Sequence, residues 1–295
     1  MPKTPIRIGT RGSKLALWQA NFTKNTLDSL GYKSELIIIK TKGDKIQNIG
    51  FDKMEGKGFF TKEIEQALLE KKIDVAVHSH KDLETSEVKG LKIAAVSQRE
   101  DPSELLLIRK SKYDASLKWG ILRNGVIGTS SARRKSLIVS NRSDLLIKDL
   151  RGNVPTRIQK LREGHYDAIL LALAGVKRLD ISLDEFETLV LSPAEFVPAA
   201  AQGALAFQIR KGDFQTNEVI SKLNHNESSK SVALERKILN QFGGGCQVPI
   251  GIFCDHKNIF ISYSKSWEDG SKTFKFERTS DPELSFKIVD SIKSS

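Results

Sequence analysis

The 295-residue sequence predicts an α/β protein with two doubly wound α/β domains and a small α+β domain at its C-terminal end. Short apolar segments alternate with helical patterns over the first two hundred residues, which is typical of βα units with mostly parallel sheets. The alternation runs through two successive arrays, and three strand-like segments then follow one another directly. We therefore expect domain 1 at residues 1–100 and 200–218, domain 2 at 103–196 and domain 3 at 222–295.

The first array begins with the strand IRIG at 6–9 and a helix from about Lys14. Apolar residues recur at helical spacing on one face of this helix, and we expect them to lie in the core: Leu15, Trp18 and Phe22. Further strands are predicted at 35–41, 73–77 and 92–96. A helix is predicted from Thr61, with inward-facing Ile64, Ala67 and Leu68.

A strand at 105–108 follows, and the second array then repeats the pattern, with strands predicted at 126–130, 145–150 and 167–173. Its helices are SARRKSLIV and a segment from about Asn153, whose side chain we expect to cap the helix. The stretch 191–209 interrupts the array and ends in another strand. Two helices, at 215–224 and 228–241, lead into domain 3, where the strands GIFCD, IFISYSK and TFKFERTS precede a closing helix.

The composition, 39% hydrophobic and 28% charged, is typical of a globular protein. The opening residues, MPKTPIRIGTRGS, lack the apolar segment of a signal peptide, so we expect a cytoplasmic protein. The longest apolar run, 168–176, is about half of the roughly 20 residues that a membrane-spanning helix needs. The two cysteines are too few for a disulfide framework, and their C-x7-C spacing fits no common zinc pattern.

The two cysteines lie in different sequence contexts. Cys254 alternates with Ile250 and Ile252, which predicts a buried thiol on a strand. Cys246 follows three consecutive glycines, which add nothing to a core and indicate unusual backbone dihedral angles or the close approach of another group. The sulfur of Cys246 is therefore predicted to be displayed on a loop.

Positive charge is concentrated in residues 109–160, which hold thirteen Lys or Arg residues against three Asp. Such clustering favours a polyanionic partner, namely nucleic acid, an anionic membrane or a small molecule with many carboxylates or phosphates. Arginines recur just beyond predicted strands, where α/β proteins bind ligands: Arg11, Arg133, Arg134, Arg151, Arg157 and Arg178. Because the guanidinium group pairs with carboxylates in a bidentate manner, this placement favours a ligand with many carboxylates.

Other kinds of site fit less well. His78 and His80 form an H-x-H pair, but no third metal ligand lies near them in the sequence, so we expect no metal. The glycines at 243–245 follow a helix and do not form a dinucleotide fingerprint, and Ser130 and Ser131 lack the G-x-S-x-G elbow of serine hydrolases. Few aromatic residues accompany the arginines, which disfavours nucleic acid.

The order of eight motifs, from about Ile6 to about Gly251, resembles that of the hydroxymethylbilane synthase, or porphobilinogen deaminase, family. The motifs are IRIGTRGSKLALWQ, KGFFTKEIEQALL, DVAVHSHKD, IGTSSARR, LRGNVPTRIQKL, YDAILLALAGVKRL, AAAQGAL and GGGCQVPIG. The resemblance implies a monomeric transferase of haem biosynthesis, whose first two domains resemble two-lobed periplasmic binding proteins. It would condense four porphobilinogen molecules head to tail on a dipyrromethane primer, releasing ammonia and hydroxymethylbilane, without nucleic acid or membrane partners.

The resemblance also assigns roles to single residues. Cys246 would carry the dipyrromethane cofactor by a thioether, and Asp82 would be the catalytic carboxylate. The implied cofactor-binding residues are Lys81, Asp82, Thr129, Ser130, Ser131, Arg133, Arg134 and Gly152. The implied substrate-binding residues are Arg11, Ser13, Gln19, Arg151, Arg157, Arg178 and Gln202. The implied residues of a lid within the loop 42–60 are Lys53, Lys57 and Phe60.

The sequence departs from the family pattern at four positions. His80 stands where methionine or leucine is usual, and we expect its side chain to point outward. Glu84 replaces a common proline or valine, Ala201 replaces the glycine before Gln202, and Pro155 follows Val154. Two other functions remain open at this point: a two-lobed binding protein that traps a polyanion without chemistry, and a nucleic-acid-binding protein.

Overall fold

A computed structural model describes residues 4–41, 61–244 and 248–294 of the chain. They form two compact units, unit 1 at 1–100 and 203–232 and unit 2 at 101–202 and 233–295. Within the described ranges, no helix combines the length and the apolar character that crossing a membrane requires.

The strands are β1 Ile6–Thr10, β2 Ser34–Ile38, β3 Val75–Ser79, β4 Leu91–Val96, β5 Glu104–Arg109, β6 Val126–Gly128, β7 Leu146–Lys148, β8 Ala168–Ala172, β9 Phe186–Leu191, β10 Leu205–Arg210, β11 Ile250–Cys254, β12 Asn258–Tyr263 and β13 Lys272–Glu277. The helices are α1 Lys14–Ser29, α2 Lys62–Leu69, α3 Ala132–Asn141, α4 Val154–Arg162, α5 Leu173–Leu179, α6 Phe214–Ile220, α7 Asn226–Gln241 and α8 Leu284–Lys293.

Each unit contains a five-stranded sheet flanked by helices, which confirms the predicted α/β class. The order is β2-β1-β3-β10-β4 in unit 1 and β7-β6-β8-β5-β9 in unit 2. The first three strands of each sheet are parallel, whereas β10 and β5 run antiparallel to both of their neighbours. An apolar segment indicates a strand but not its direction, so the sequence did not reveal these two antiparallel strands.

Helix α1 packs in unit 1 with a different face from the predicted one. Trp18 and Phe22 are 37% and 40% exposed, and their rings stack on each other with centroids 5.6 Å apart. The buried residues of α1 are Gln19, Ala20, Thr23 and Leu27. For α2, in contrast, the predicted inward face of Ile64, Ala67 and Leu68 is confirmed.

The amino-terminal end of the unit 1 sheet is held by a half-buried ionic network. Asp74 accepts hydrogen bonds from the Arg7 guanidinium at 2.8 and 3.0 Å and from Arg210 at 3.1 Å. Arg210 also pairs with Asp213 at 2.6 Å. Burial alone would raise the pKa of Asp74, but the hydrogen bonds from Arg7 and Arg210 hold it below its ordinary value.

Replacing Asp74 by asparagine is expected to lower the free energy of unfolding by about 2 kcal/mol at pH 7, between the values typical of surface and buried ion pairs. A carboxylate whose pKa is lowered by folding contributes its full stabilisation at pH values above its unfolded-state pKa, which is about 4. That contribution disappears as the pH falls through the folded-state value, so wild type and variant should converge in acid. Thermal unfolding at pH 7, 5 and 3.5 measures the difference.

The matched control is Asp28→Asn, which removes a carboxylate that pairs with Lys24 on the exposed side of α1. Little change in stability is expected from it at any pH. A loss of stability in Asp74→Asn that stays constant down to pH 3.5 would show that packing, and not the charge, is responsible.

Unit 2 also contains a separate three-stranded antiparallel sheet, ordered β11-β12-β13, with α8 packed against it. Its core is built around Ile252, Ile259, Ile261 and Ile288. Cys254 is 3% exposed in this core, as its alternation predicted. Domain 3, predicted at 222–295, stays a prediction.

Candidate functional site

In unit 1, the carboxyl end of β3 carries the predicted catalytic residue. A single 3-10 turn, His80–Asp82, follows β3 directly, and Asp82 is exposed while Lys81 is half-buried. The His80 amide donates a hydrogen bond to the carbonyl oxygen of Ala204 at 3.0 Å, which holds the turn against the neighbouring strand. Asp82 therefore presents its carboxylate to solvent from a fixed turn.

The side chain of His80 lies inside the protein, so the expectation that it points outward is wrong. It is 3% exposed, whereas Asp82 two positions later is exposed. A 3-10 helix completes one turn in three residues, so positions 80 and 82 point in different directions. The turn is too short to show a periodic pattern in the sequence, so the directions of these two side chains could not be predicted.

The start of α1 lies beside the same strand end. Ser13 caps α1 by accepting a hydrogen bond from the Ala16 amide at 3.3 Å. Gln19 is 3% exposed and donates through Nε2 to Oγ of Ser79 at 2.7 Å, so it fixes α1 against the residue that precedes the 3-10 turn. Sequence reasoning did not identify Ser79 as this partner.

Strands β1 and β3 are parallel neighbours in the sheet. Their carboxyl ends therefore lie at the same edge, where α/β proteins place ligands. Arg11 follows β1 and Asp82 follows β3, so the topology brings these two predicted site residues to one edge of unit 1.

A buried polar chain lies behind this edge. Nε2 of His78 lies 3.1 Å from Oε1 of Gln208, whose Nε2 donates to Glu65 Oε1 at 3.2 Å. Because the Gln208 oxygen accepts, the hydrogen of His78 is on Nε2. Burial lowers the pKa of His78 to about 4, so the ring is neutral at physiological pH. Burial, with the nearby charge of Glu84, raises the pKa of Glu65.

In unit 2, three hydroxyl residues form the turn between β6 and α3. Ser131 caps α3, and its Oγ accepts a hydrogen bond from the Arg134 amide at 3.4 Å. The Ser131 amide donates to Oγ1 of Thr129 at 3.3 Å, and Ser130 Oγ donates to the carbonyl of Leu150 at 3.1 Å. These bonds fix the first turn of α3, the helix that the sequence predicted over SARRKSLIV.

Arg133 and Arg134 in that turn are both buried, each at 6% exposure. Glu104, fully buried at the start of β5, accepts from Arg133 at 2.7 Å through Oε1 and from Arg134 at 2.6 Å through Oε2. The carbonyl oxygens of Val197 and Leu170 accept further bonds from Arg133 and Arg134, at 3.0 and 2.9 Å. Sequence reasoning missed Glu104, although a carboxylate opening an apolar strand was a visible signal.

The triad of Glu104, Arg133 and Arg134 holds two cations and one anion. Burial, together with the charge of Arg134, lowers the pKa of Arg133, and Glu104 opposes that effect. Nε of Arg134 is buried and has no hydrogen-bond partner among the described residues. The triad therefore has an unused donor and an excess positive charge, both of which suit a further anion.

The turn between β7 and α4 is the second arginine-bearing turn of unit 2. Asn153 caps α4 by accepting from the Thr156 amide at 3.0 Å, which confirms the predicted cap. Gly152 has φ +113°, and a Cβ there would lie 2.7 Å from Cγ2 of Thr156, so the turn requires glycine. Arg157 donates through Nε to the Gly152 carbonyl at 2.7 Å, and Arg151 is half-buried.

Strands β7, β6 and β8 are parallel neighbours, so the turns after them share one edge of the unit 2 sheet. The predicted site residues at this edge are Thr129, Ser130, Ser131, Arg133, Arg134, Arg151, Gly152, Arg157 and Arg178. Arg178 is 9% exposed on α5. Gln202 is fully buried and donates to the carbonyl of Pro102 at 2.8 Å.

Four predicted site residues lie outside the described ranges: Lys53, Lys57, Phe60 and Cys246. Their roles as lid residues and as the attachment point of the cofactor stay predictions. Within the described ranges, no three His, Cys, Asp or Glu side chains cluster as metal ligands do.

Comparison with known proteins shows what the chain is similar to. The family model described as "Porphobilinogen deaminase, dipyromethane cofactor binding domain" matches residues 6–218. Porphobilinogen deaminase of Syntrophobacter fumaroxidans is 41% identical over 96% of this chain and 91% of its own length. The porphobilinogen deaminase of Maridesulfovibrio salexigens is 42% identical over 96% of this chain and 91% of its own length.

Similarity to solved structures is much weaker. An ancestral arginine-binding protein is 18% identical, over 80% of this chain and 97% of its own, with a TM-score of 0.41. A similarity of this size carries no argument about function.

Proposed function

Because the chain belongs to the porphobilinogen deaminase family, and so condenses porphobilinogen into hydroxymethylbilane, we propose that Cys246 carries its dipyrromethane cofactor by a thioether and that Asp82 is its catalytic carboxylate. The family match covers a dipyrromethane cofactor binding domain. The proposal concerns which residues attach the cofactor, hold it and act on the substrate.

The observation that carries the proposal is the buried arginine pair of unit 2. Each pyrrole ring of the cofactor bears an acetate and a propionate, so two rings bring four carboxylates. Glu104 neutralises only one of the two guanidinium groups, and Nε of Arg134 has no partner among the described residues. The donors at this sheet edge therefore fit a carboxylate-rich cofactor.

The cofactor-binding residues fall into two groups. At the unit 2 edge, we assign Thr129, Ser130, Ser131, Arg133, Arg134 and Gly152. The hydroxyl residues and Gly152 shape the turns, while the arginines supply positive charge. In unit 1, Lys81 and Asp82 follow β3 directly, and we assign them to the same cofactor.

The substrate brings an acetate and a propionate of its own, which need cationic and polar donors. We assign this role to Arg11, Ser13, Gln19, Arg151, Arg157, Arg178 and Gln202. The amide nitrogens of Gln19 and Gln202 already donate to Ser79 and Pro102. Because these two glutamines are also buried, we expect them to orient the neighbouring turns in addition to contacting the ligand.

When bound, the dipyrromethane supplies the free pyrrole carbon to which the next unit is joined. Asp82 acts on the incoming substrate, whose aminomethyl group loses its nitrogen as ammonia while the methylene carbon stays and forms the new bond. Its exposed carboxylate is an anion that can stabilise the positive charge that develops on the pyrrole as ammonia leaves, and it can relay protons between the pyrrole nitrogen and the leaving amine. The fixed 3-10 turn keeps that carboxylate in position.

The intact mass of the denatured protein tests the attachment. We expect an increment equal to two linked pyrrole units. The tryptic peptide 238–257 contains both cysteines, so fragmentation before Pro249 must place the increment on the half with Cys246. An increment on the half with Cys254 contradicts the assignment, as does an unmodified mass after incubation with porphobilinogen.

We further propose, from the family resemblance, that the chain acts as a cytoplasmic monomer without nucleic acid or membrane partners. Sedimentation velocity at micromolar concentration checks the oligomeric state. A salt titration with DNA checks the second point, since phosphate-driven binding weakens steeply as salt is added.

A further inference from the structure

The buried segment between β9 and β10 is fixed at three points within unit 2. The Val197 carbonyl accepts a hydrogen bond from Arg133 at 3.0 Å. The next carbonyl, of Pro198, accepts from the Ile252 amide of β11 at 2.9 Å. The Ala201 amide donates to Oε2 of Glu235 at 2.7 Å. With these bonds, the segment has little freedom to shift.

Gly251 of β11 lies directly against this segment. A Cβ at Gly251 would lie 2.4 Å from the Val197 carbonyl oxygen and 3.0 Å from its carbon. It would also lie 2.7 Å from Oγ of Ser262, the residue paired with Gly251 across the sheet. A main-chain carbonyl cannot rotate away as a side chain can, so Gly251 is required by the close approach of two backbones.

The Val197 carbonyl is therefore a junction between two parts of unit 2. On one side it accepts from Arg133, which is bound to Glu104 and so joined to Arg134. On the other side it lies against β11, the strand that begins four positions after Cys246 in the sequence. No side chain larger than the hydrogen atom of glycine fits between position 251 and this carbonyl.

We infer that Gly251 is a positioning residue for cofactor attachment. It lets β11 lie against the Val197 carbonyl and so sets the spacing between this strand and the arginine pair. The inference rests on the proposed roles of Cys246 and of Arg133 and Arg134. Displacing β11 shifts the strand that begins four positions after Cys246 relative to the groups that hold the cofactor carboxylates. A displacement of about 1 Å can slow a positioned reaction by about 10²-fold.

The experiment compares Gly251→Ala, Ser262→Ala and the double variant, each prepared without cofactor and shown to be folded by circular dichroism. The readout is the rate at which the mass increment appears during incubation with porphobilinogen. Ser262→Ala removes only a hydroxyl that has no partner among the described residues, so it should load at the wild-type rate. Gly251→Ala and the double variant should both load at least about tenfold more slowly.

Loading of Gly251→Ala at the wild-type rate overturns the inference while leaving the proposed function intact. Recovery in the double variant also overturns it, because the Ser262 contact would then be the cause. A wild-type chain that never gains the increment removes the proposed function, and this inference with it.

Arg133→Lys distinguishes an effect of Gly251 that passes through Arg133 from a general structural effect. If Gly251 acts through Arg133, Gly251→Ala should slow loading far less in the Arg133→Lys background than in the wild-type background. Additive effects of the two changes contradict the coupling.

Hydrogen exchange keeps the inference testable if Gly251→Ala fails to fold. The Ile252 amide, which donates to Pro198, should exchange faster in Arg133→Lys than in the wild type, because the junction loses one of its bonds. Unchanged exchange at Ile252 overturns the inference.

Discussion

Cys246→Ser is expected to yield a folded protein without the mass increment and without detectable activity. A thiolate is the nucleophile that adds to the methylene carbon left electrophilic when ammonia departs, whereas a serine hydroxyl is a far weaker nucleophile at neutral pH. In a hydrolase, removal of the covalent nucleophile lowers kcat by about 10⁶-fold, and we expect a loss of similar size here. Intact mass and the rate of hydroxymethylbilane formation measure the two losses.

Cys254→Ala is the matched control, because it removes the other sulfur of the chain. Cys254 is 3% exposed in the core of the small sheet, and its amide donates to Glu235 Oε1 at 2.8 Å. Its replacement should cost about 1 kcal/mol of stability but leave the increment and the activity unchanged. A Cys246→Ser protein that still carries the increment would refute the thioether at Cys246.

The fold was predictable where one local signal agreed with the final packing. The inward face of α2 follows from its apolar spacing, and the cap of α4 follows from Asn153. The face of α1 did not follow, because its buried stripe contains polar residues. Thr23 donates to the Gln19 carbonyl at 2.9 Å and Gln19 donates to Ser79, so both are buried at little cost.

Non-local pairing explains most of what the sequence did not reveal. Glu104 opens β5 as a charged residue that composition would place at the surface. It is fully buried because two arginines, 29 and 30 positions away, supply its partners. Strand β9 was missed for a similar reason. It lies at the edge of its sheet, its middle residues are exposed, and only its pairing with β5 defines it.

The candidate site was predictable as a set of strand ends but not as a set of contacts. The motif resemblance supplied the residues, and the parallel pairing of β7, β6 and β8 brings the turns after them to one edge. The sequence did not show that Arg133 and Arg134 share one buried carboxylate. It also did not show that Gly251 lies against the Val197 carbonyl, because neither arrangement leaves a periodic pattern.

Asp82→Asn is expected to lower kcat by about 10²–10³-fold with little change in KM. Positive charge develops on the substrate pyrrole as ammonia leaves, and a fixed anion stabilises the transition state more than the ground state. Asparagine keeps the size of the side chain and loses its charge. Asp82 is exposed at the end of its turn, so thermal unfolding should be unchanged.

Glu84→Gln is the matched control, because it removes the same charge two positions later from a residue with no assigned role. Its kcat should stay near the wild-type value. Equal losses in both variants would show that the general negative potential of the segment, and not Asp82, stabilises the cation.

The primer is itself built from substrate by the same loss of ammonia, so Asp82→Asn should also load slowly. The comparison therefore uses preparations whose mass increments are equal, which separates catalysis by Asp82 from assembly of the cofactor.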